Sequence, residues 1–191
     1  MANSDALRWN KRYLTDGNRY LHHPRSLLLR AAPYLPPHGF ALDVACGLGT
    51  NAKFMLKKGF RVLGVDISYI ALSKAKHLLP NLDAVCADME NFDFPNQSFD
   101  VILNFYYLQR SLWYCFDKWL KGNGLVIMET LTIEMKQIKP EINDAFLLYP
   151  GELRAAFSNY EIIYYQEGWI GEKTLHPRCV ASLIARKVHQ S

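Results

Sequence analysis

The stretch Asp43-Val-Ala-Cys-Gly47-Leu-Gly49-Thr-Asn51-Ala52 decides the fold of this chain. The apolar run Phe40–Ala45 predicts a buried strand, and the residues from about Thr50 to Lys58 predict a helix. Two glycines with one residue between them allow the backbone to turn tightly and to approach a ligand closely. The helix that follows points its positive end at the same place. We therefore expect an α/β domain with a ligand site at this turn.

The rest of the chain repeats the change from short β-branched runs to longer helical ones. Six further strands are expected at Arg61–Asp66, Leu82–Ala87, Phe99–Phe105, Leu125–Ile133, Tyr160–Gln166 and Cys179–Val188. Helices are expected at Tyr69–Leu79, capped by Ser68, at Gln109–Lys121 and at Pro150–Ser158. This alternation predicts a mostly parallel, doubly wound sheet with helices on both faces.

Two connections in this sheet are short. The link between the last two strands is about a dozen mostly irregular residues, which is little for a parallel crossover, so these strands are expected to be antiparallel. The link Asp88–Ser98 is also short, and parallel pairing of the third and fourth strands is less well supported.

Composition excludes several classes of protein. The 191 residues suit one domain, and 50% hydrophobic with 21% charged residues is typical of a well-cored globular protein. The net charge of +4 is spread along the chain, which argues against a nucleic-acid partner.

No apolar run approaches a membrane span, and Met1–Arg8 lacks the apolar stretch of a signal peptide, so we expect a cytoplasmic protein. The spacing of the four cysteines fits neither a zinc site nor a disulfide scaffold, and we expect free thiols.

Three carboxylates at the predicted strand ends indicate the kind of ligand. Residues 47–52 also satisfy G-x-G-x-x-A, a weak dinucleotide fingerprint. Asp66 could accept hydrogen bonds from ribose hydroxyls, and Asp88 from an adenine amino group. Asp43 would repel a pyrophosphate but attract a cationic group. Together they favour S-adenosylmethionine over a nicotinamide dinucleotide.

These residues make the chain similar to a known family. Over nearly its full length it resembles the Rossmann-like (class I) S-adenosylmethionine-dependent methyltransferases. The matching motifs are the glycine-rich stretch Asp43–Gly49, with Ala45 where many members have glycine, Asp66, the pair Asp88-Met89, and Ser98–Asn104 on the fourth strand. Within the family, Trp9-Asn-Lys-Arg-Tyr13 resembles the tellurite-resistance-type branch of small-molecule methyltransferases.

The resemblance implies an organisation. It implies the strand order 3-2-1-4-5-7-6 and a single domain over residues 1–191, with an N-terminal helical lid segment at 1–35 and the core at 36–191. The chain is short for the family, which suggests a small acceptor or one reached through Glu134–Tyr149.

The resemblance also implies roles for single residues. The cofactor-binding set is Trp9 and Arg12 from the lid, Asp43, Ala45 and Gly47 at the methionine part, Asp66 at the ribose, Ile67, Asp88 and Met89 at the adenine, and the backbone of Asn104. Each has an ordinary structural alternative, such as a turn, a helix cap or core packing.

The acceptor side is less defined by the sequence. Tyr107 and Arg110 are the candidate substrate contacts, since they follow the fourth strand. Asn104-Phe-Tyr-Tyr107 loosely resembles the N-P-P-Y signature of amino methyltransferases, but without its prolines that substrate class is disfavoured. No general base declares itself; Glu129 either faces the site or is a buried, hydrogen-bonded glutamate. His22, His23 and His176 have no spacing that demands a metal.

Two functions remain open at this stage. The first is methyl transfer from S-adenosylmethionine to a small-molecule acceptor, by a monomer or homodimer with neither nucleic acid nor membrane as a partner. The alternative is a non-catalytic cofactor-binding module, or an assembly partner that retains the fold.

Overall fold

In the computed structural model, which describes residues 2–15, 23–171 and 176–188, one mixed sheet organises the chain. Its strands are β1 (Phe40–Val44), β2 (Arg61–Asp66), β3 (Asp83–Cys86), β4 (Phe99–Phe105), β5 (Leu120–Leu131), β6 (Tyr160–Ile170) and β7 (Arg178–Lys187). The spatial order is β3-β2-β1-β4-β5-β7-β6. The first five strands are parallel, and β7 is antiparallel to both β5 and β6. The predicted fold class is confirmed, including the antiparallel C-terminal pair.

Helices cover both faces of the sheet. They are α1 (Ala2–Thr15), α2 (Ser26–Ala31), α3 (Thr50–Lys57), α4 (Tyr69–Leu78), α5 (Leu112–Trp119) and α6 (Glu152–Ala156). Short 3-10 turns lie at Ala32–Tyr34, Met89–Asn91, Ile133–Gln137 and Asp144–Phe146. Apolar side chains of α2, α3 and α4 form the core on one face, and those of α5 and α6 form the core on the other.

Strand boundaries differ most from expectation at β5. The strand begins at Leu120, inside the helix that was expected to run to Lys121. Phe99 of β4 pairs with Leu120, and Val101 pairs with Leu125, so the intervening residues form an irregularity in the ladder. Asn123 there has a φ of +65°. Gly122 therefore lies within an irregular strand and does not close a helix.

The third and fourth strands do not pair with each other. β3 lies at the edge of the sheet beside β2, whereas β4 lies between β1 and β5. The short link between them therefore crosses over the sheet, with only the 3-10 turn Met89–Asn91 along it.

The expected lid segment 1–35 divides into two parts. Helix α1 packs against α4, over the ends of the strands. Helix α2 instead belongs to the core, because Leu27, Leu28 and Ala31 are buried against β5 and β7. Only helix α1 lies where a lid would be.

Candidate cofactor and acceptor site

The turn between β1 and α3 has an unusual backbone. Ala45, Gly47 and Gly49 have φ angles of +52°, +55° and +71°. A Cβ atom at Gly47 would lie 2.5 Å from the hydroxyl oxygen of Tyr13, so this position has room only for glycine. The residues 45–49 are called the glycine loop below.

Asp66 fixes the glycine loop to the end of β2. Its buried carboxylate accepts hydrogen bonds from the backbone N–H of Gly47 (2.8 Å, at Oδ2) and of Ser68 (2.8 Å, at Oδ1). Burial raises the pKa of Asp66, although these bonds oppose the shift. A carboxylate has about four acceptor sites, so Asp66 retains capacity for a ribose hydroxyl. The ribose role of Asp66, and the adenine role of half-buried Ile67 beside it, stay predictions.

Asp43 is a buried carboxylate that accepts one bond from the backbone N–H of Ala52, at 3.1 Å. Burial raises its pKa to about 7, and the charge of Asp66 adds to the shift. No salt bridge to Asp43 forms among the residues that the structure describes. Such an uncompensated carboxylate suits a ligand with a positive charge.

Asp88 and Met89 lie at the end of β3. Asp88 caps the 3-10 turn by accepting from the backbone N–H of Glu90 at 3.1 Å. The side chain of Met89 is buried in the core, so any contact of this residue with adenine would involve its backbone.

Tyr107 belongs to the same end of the sheet. Burial and the negative charges of Asp88 and Glu90 raise the pKa of Tyr107 to about 12, and Asp5 of α1 contributes to the shift. The phenol therefore lies among carboxylates beside the predicted adenine edge. Its predicted role as a substrate contact is not tested by this placement.

Asn104 is a polar residue in the core. It is 1% exposed, pairs with Val44 and Met128 in the sheet, and has no hydrogen-bond partner at Nδ2 or Oδ1. An unpaired buried amide costs about 1–3 kcal/mol, which a ligand could recover by bonding to it. The sequence predicted a backbone contact of Asn104 with the cofactor, whereas in the structure its unpaired side-chain amide is also a candidate ligand contact.

Helix α1 lies across the glycine loop. Tyr13 is buried against Leu48 and Ala71, and Trp9 packs beside it. The side chain of Asn10 accepts hydrogen bonds from Ser68 Oγ (2.7 Å) and from the backbone N–H of Ile70 (3.2 Å).

Arg12 differs from its neighbours on α1. It is exposed and stacks on the ring of Trp9, at 5.0 Å from the ring centre. The structure thus brings Trp9 to the glycine loop and leaves Arg12 on the outer side of α1. Tyr13, which was not predicted as a binding residue, lies against Gly47.

Arg110 is engaged within the protein. It forms an ion pair with Glu152 and donates to the backbone carbonyls of Ala145 (3.1 Å) and Leu147 (2.9 Å). Four of its five N–H groups are used in this way. These bonds hold the segment before α6, which leaves little of Arg110 for the predicted substrate contact.

A second polar cluster lies beside the glycine loop, at the ends of β4 and β5. Tyr106 donates to Glu129 Oε1 at 2.7 Å, and Ser182 Oγ donates to Glu129 Oε2 at 2.9 Å. The guanidinium groups of Arg25 and Arg178 lie 4.5 Å and 5.3 Å from the centre of the Tyr106 ring. Glu129 is thus the buried, hydrogen-bonded glutamate of the two expected alternatives.

Sequence reasoning missed the arginines of this cluster. Arg25 precedes a short helix and Arg178 begins an edge-side strand, so no motif or spacing relates them. The available signal was positional, since β7 is antiparallel and its first residue lies at the carboxyl end of the parallel strands.

No candidate metal cluster or membrane-spanning helix is found in the described part of the chain. There, no three of its His, Cys, Asp or Glu side chains group to hold a metal ion. No described helix has the length and apolar character to cross a membrane. His22 lies outside the described residues.

Comparisons with known proteins agree with this geometry. Residues 41–121 match the methyltransferase domain family. A phthiotriol/phenolphthiotriol dimycocerosates methyltransferase from Mycobacterium tuberculosis is 39% identical over 67 residues, which are 33% of this chain and 25% of that protein. The chain thus spans about a quarter of the length of the curated relatives it matches.

Solved structures extend the likeness to most of the chain. An S-adenosylmethionine-dependent methyltransferase from Methanosarcina mazei superposes with a TM-score of 0.71 at 16% identity, covering 88% of this chain and 100% of that one. TehB from Haemophilus influenzae gives a TM-score of 0.72 at 17% identity, covering 94% of this chain and 67% of that one. At these identities the likeness is one of fold.

Together the fold, the loop and the family match define the class. Residues 41–121 match a methyltransferase domain, and the fold of the chain is that of the class I S-adenosylmethionine-dependent methyltransferases, as predicted; S-adenosylmethionine is the cofactor of that class. The residues present fit this cofactor, because Asp43 offers an uncompensated buried carboxylate and Asn104 an unpaired buried amide.

Proposed function

We propose that the protein transfers the methyl group of S-adenosylmethionine to a small-molecule acceptor. The observation that carries this proposal is the arrangement of Asp43 and Asp66. Two buried carboxylates accept backbone hydrogen bonds at one glycine loop and the helix after it, and both retain acceptor capacity for a ligand. This arrangement suits a ligand that combines hydroxyl donors with a positive charge.

The contribution of the chain is mainly binding and alignment. S-adenosylmethionine supplies a methyl carbon activated by its positive sulfur, and transfer is an in-line displacement on that carbon. Asp66 would hold the ribose, Asp88 and Ile67 the adenine, and Asp43 the cationic end. Helix α1 would exclude water from the glycine loop. The contacts to the cofactor would hold its methyl group in line with the acceptor.

A small acceptor is supported by the short connections of the sheet and by the name of a relative. The connections beyond β5 are short, with no inserted domain among the described residues. The M. tuberculosis relative is named a phthiotriol/phenolphthiotriol dimycocerosates methyltransferase. We also propose a cytoplasmic location, because all four cysteines are free thiols, as is usual in a reducing compartment.

Calorimetric titration with S-adenosylmethionine and then S-adenosylhomocysteine tests the proposal. We expect micromolar binding of both and at least tenfold weaker binding by Asp66→Ala, equivalent to about 1.4 kcal/mol. Unchanged affinity in the variant would remove Asp66 from the site. A methyl-transfer screen of thiols, phenols, halides and tellurite then separates an enzyme from a non-catalytic cofactor-binding module, which binds but forms no product.

A further inference from the structure

We propose that the acceptor carries an oxyanion group, a carboxylate or a phosphate, and that Arg25 and Arg178 bind this group beside Tyr106. This inference rests on the proposed function, since it names the substrate class of the same site. It stands on the geometry of the second polar cluster: Arg25, Tyr106, Glu129, Arg178 and Ser182.

Among the residues that the structure describes, no carboxylate forms an ion pair with either arginine of the cluster. Both side chains are half-buried. Half-buried Arg110, in contrast, is paired with Glu152. Two guanidinium groups near one ring repel each other, although each is attracted to the ring. An anion bound to either guanidinium would reduce this repulsion.

Glu129 does not supply that anion. Its two oxygens accept from the hydroxyls of Tyr106 and Ser182, so the carboxylate lies at the hydroxyl edge of the ring. The arginines lie over the ring itself. Guanidinium is the side chain best suited to bind a carboxylate or phosphate, because its N–H groups form a planar fork.

The cluster is held in place by its own backbone. Tyr106 has a φ of +59°, which costs a non-glycine residue about 1–2 kcal/mol. Its N–H donates to the carbonyl of Glu129 at 2.8 Å while its hydroxyl donates to the side chain of the same residue. Strain that surrounding bonds maintain in this way is common at functional sites.

The cluster also adjoins the cofactor loop. The backbone N–H of Arg25 donates to Asn51 Oδ1 at 3.2 Å, and Asn51 lies in the first turn of α3, directly after the glycine loop. Tyr106 follows Asn104 by two residues at the end of β4. An anion held by the arginines would therefore lie next to the methyl donor.

Fluorine NMR titration of the full chain, with and without saturating S-adenosylhomocysteine, tests the inference. The probes are 4-fluorobenzoate, monofluorophosphate and the neutral analogue 4-fluorobenzamide. We expect at least one anion to bind tenfold or more tightly than the amide, and the anion preferred identifies carboxylate or phosphate. Arg25→Gln and Arg178→Gln should each weaken that binding at least tenfold.

Arg30→Gln is the matched control. Arg30 lies in helix α2, which begins directly after Arg25, and its guanidinium lies 4.5 Å from the centre of the Tyr164 ring. Arg30→Gln therefore removes one positive charge and one cation–π contact outside the cluster. We expect it to leave anion binding unchanged. If the glutamine variants do not fold, Arg25→Lys and Arg178→Lys retain the charge without the planar fork and should weaken binding less than tenfold but measurably.

The outcomes separate this inference from the proposed function. Anion binding that is no tighter than amide binding, or equal losses in Arg30→Gln and Arg25→Gln, would overturn the oxyanion site even if S-adenosylmethionine binds. Arginine-dependent anion binding in a protein that binds neither S-adenosylmethionine nor S-adenosylhomocysteine would overturn the proposed function and leave the anion site standing.

Discussion

At the scale of single residues, Ala45 is the clearest departure from what its own chemistry favours. Its φ of +52° is a conformation that alanine adopts at a cost of about 1–2 kcal/mol and that glycine adopts freely. The family pattern has glycine at this position in many members, and the structure gives the physical reason. The backbone must turn directly after β1 so that the N–H of Gly47 can donate to the carboxylate of Asp66.

Replacing Ala45 by glycine should therefore stabilise the protein. The gain in the free energy of unfolding should be at most about 1 kcal/mol, because glycine loses more conformational entropy on folding. Urea denaturation measures this change. Ala155→Gly is the matched control, since Ala155 is exposed in α6 and the same substitution there should cost about 0.5–1 kcal/mol. Equal destabilisation in both variants would mean that the Ala45 methyl group contributes to packing.

At the scale of elements, the sequence predicted the bounds of α3 and α4 to within one residue, whereas the accuracy of the strand bounds varied. β2 and β4 have the predicted bounds, because each has an apolar centre between clear breaks. β5 begins at Leu120, before its predicted start, across an irregularity in its pairing with β4. β6 continues to Ile170 because it pairs with β7 that far. The lid was predicted as one segment although α2 packs in the core, since amphipathic spacing does not reveal which surface a helix covers.

Helix α1 depends on Tyr13 for its position over the glycine loop. Tyr13 is 8% exposed, and the hydroxyl lies against Gly47. We expect Tyr13→Ala to weaken S-adenosylmethionine binding at least tenfold, because the helix would no longer cover the loop. Calorimetry measures the affinity, and hydrogen exchange of α1 amides reports the loosening directly.

The neighbouring residue provides the control for this helix. Leu14 is 63% exposed, so Leu14→Ala should change neither the affinity nor the exchange rates. If Tyr13→Ala loosens α1 while the affinity is unchanged, the helix is not a lid.

At the scale of the whole molecule, the site gathers residues that the chain separates widely. The glycine loop and its carboxylates were predictable because one local stretch and two strand ends contain them. The arginine cluster was not, because it joins the start of α2, the end of β4 and the start of β7 only through the order of the sheet. Long-range placement of this kind leaves no local pattern in the sequence.

The buried carboxylates link stability to cofactor binding. Burial raises the pKa of Asp43 from its usual 3.8 to about 7, and the pKa of Asp66 is raised in the same direction. A group whose pKa is higher in the folded state stabilises the fold most below its unfolded pKa, and this contribution is lost as pH rises through the folded value. The stability of the cofactor-free protein should therefore fall between about pH 4 and 7 through Asp43.

Asp43→Asn should remove the pH dependence that Asp43 gives to stability and to cofactor affinity. The amide can still accept the hydrogen bond from Ala52 but has no charge to bury, so the cofactor-free variant should be more stable than the wild type at pH 8 and differ little at pH 5. Binding of S-adenosylmethionine should behave oppositely, because its positive charge favours ionised Asp43. In the wild type affinity should rise from pH 6 to pH 7.5, whereas in the variant it should be weaker and nearly constant. Thermal unfolding and calorimetry across this range measure both quantities, and parallel pH profiles in the two proteins would show that Asp43 does not face the cationic part of the cofactor.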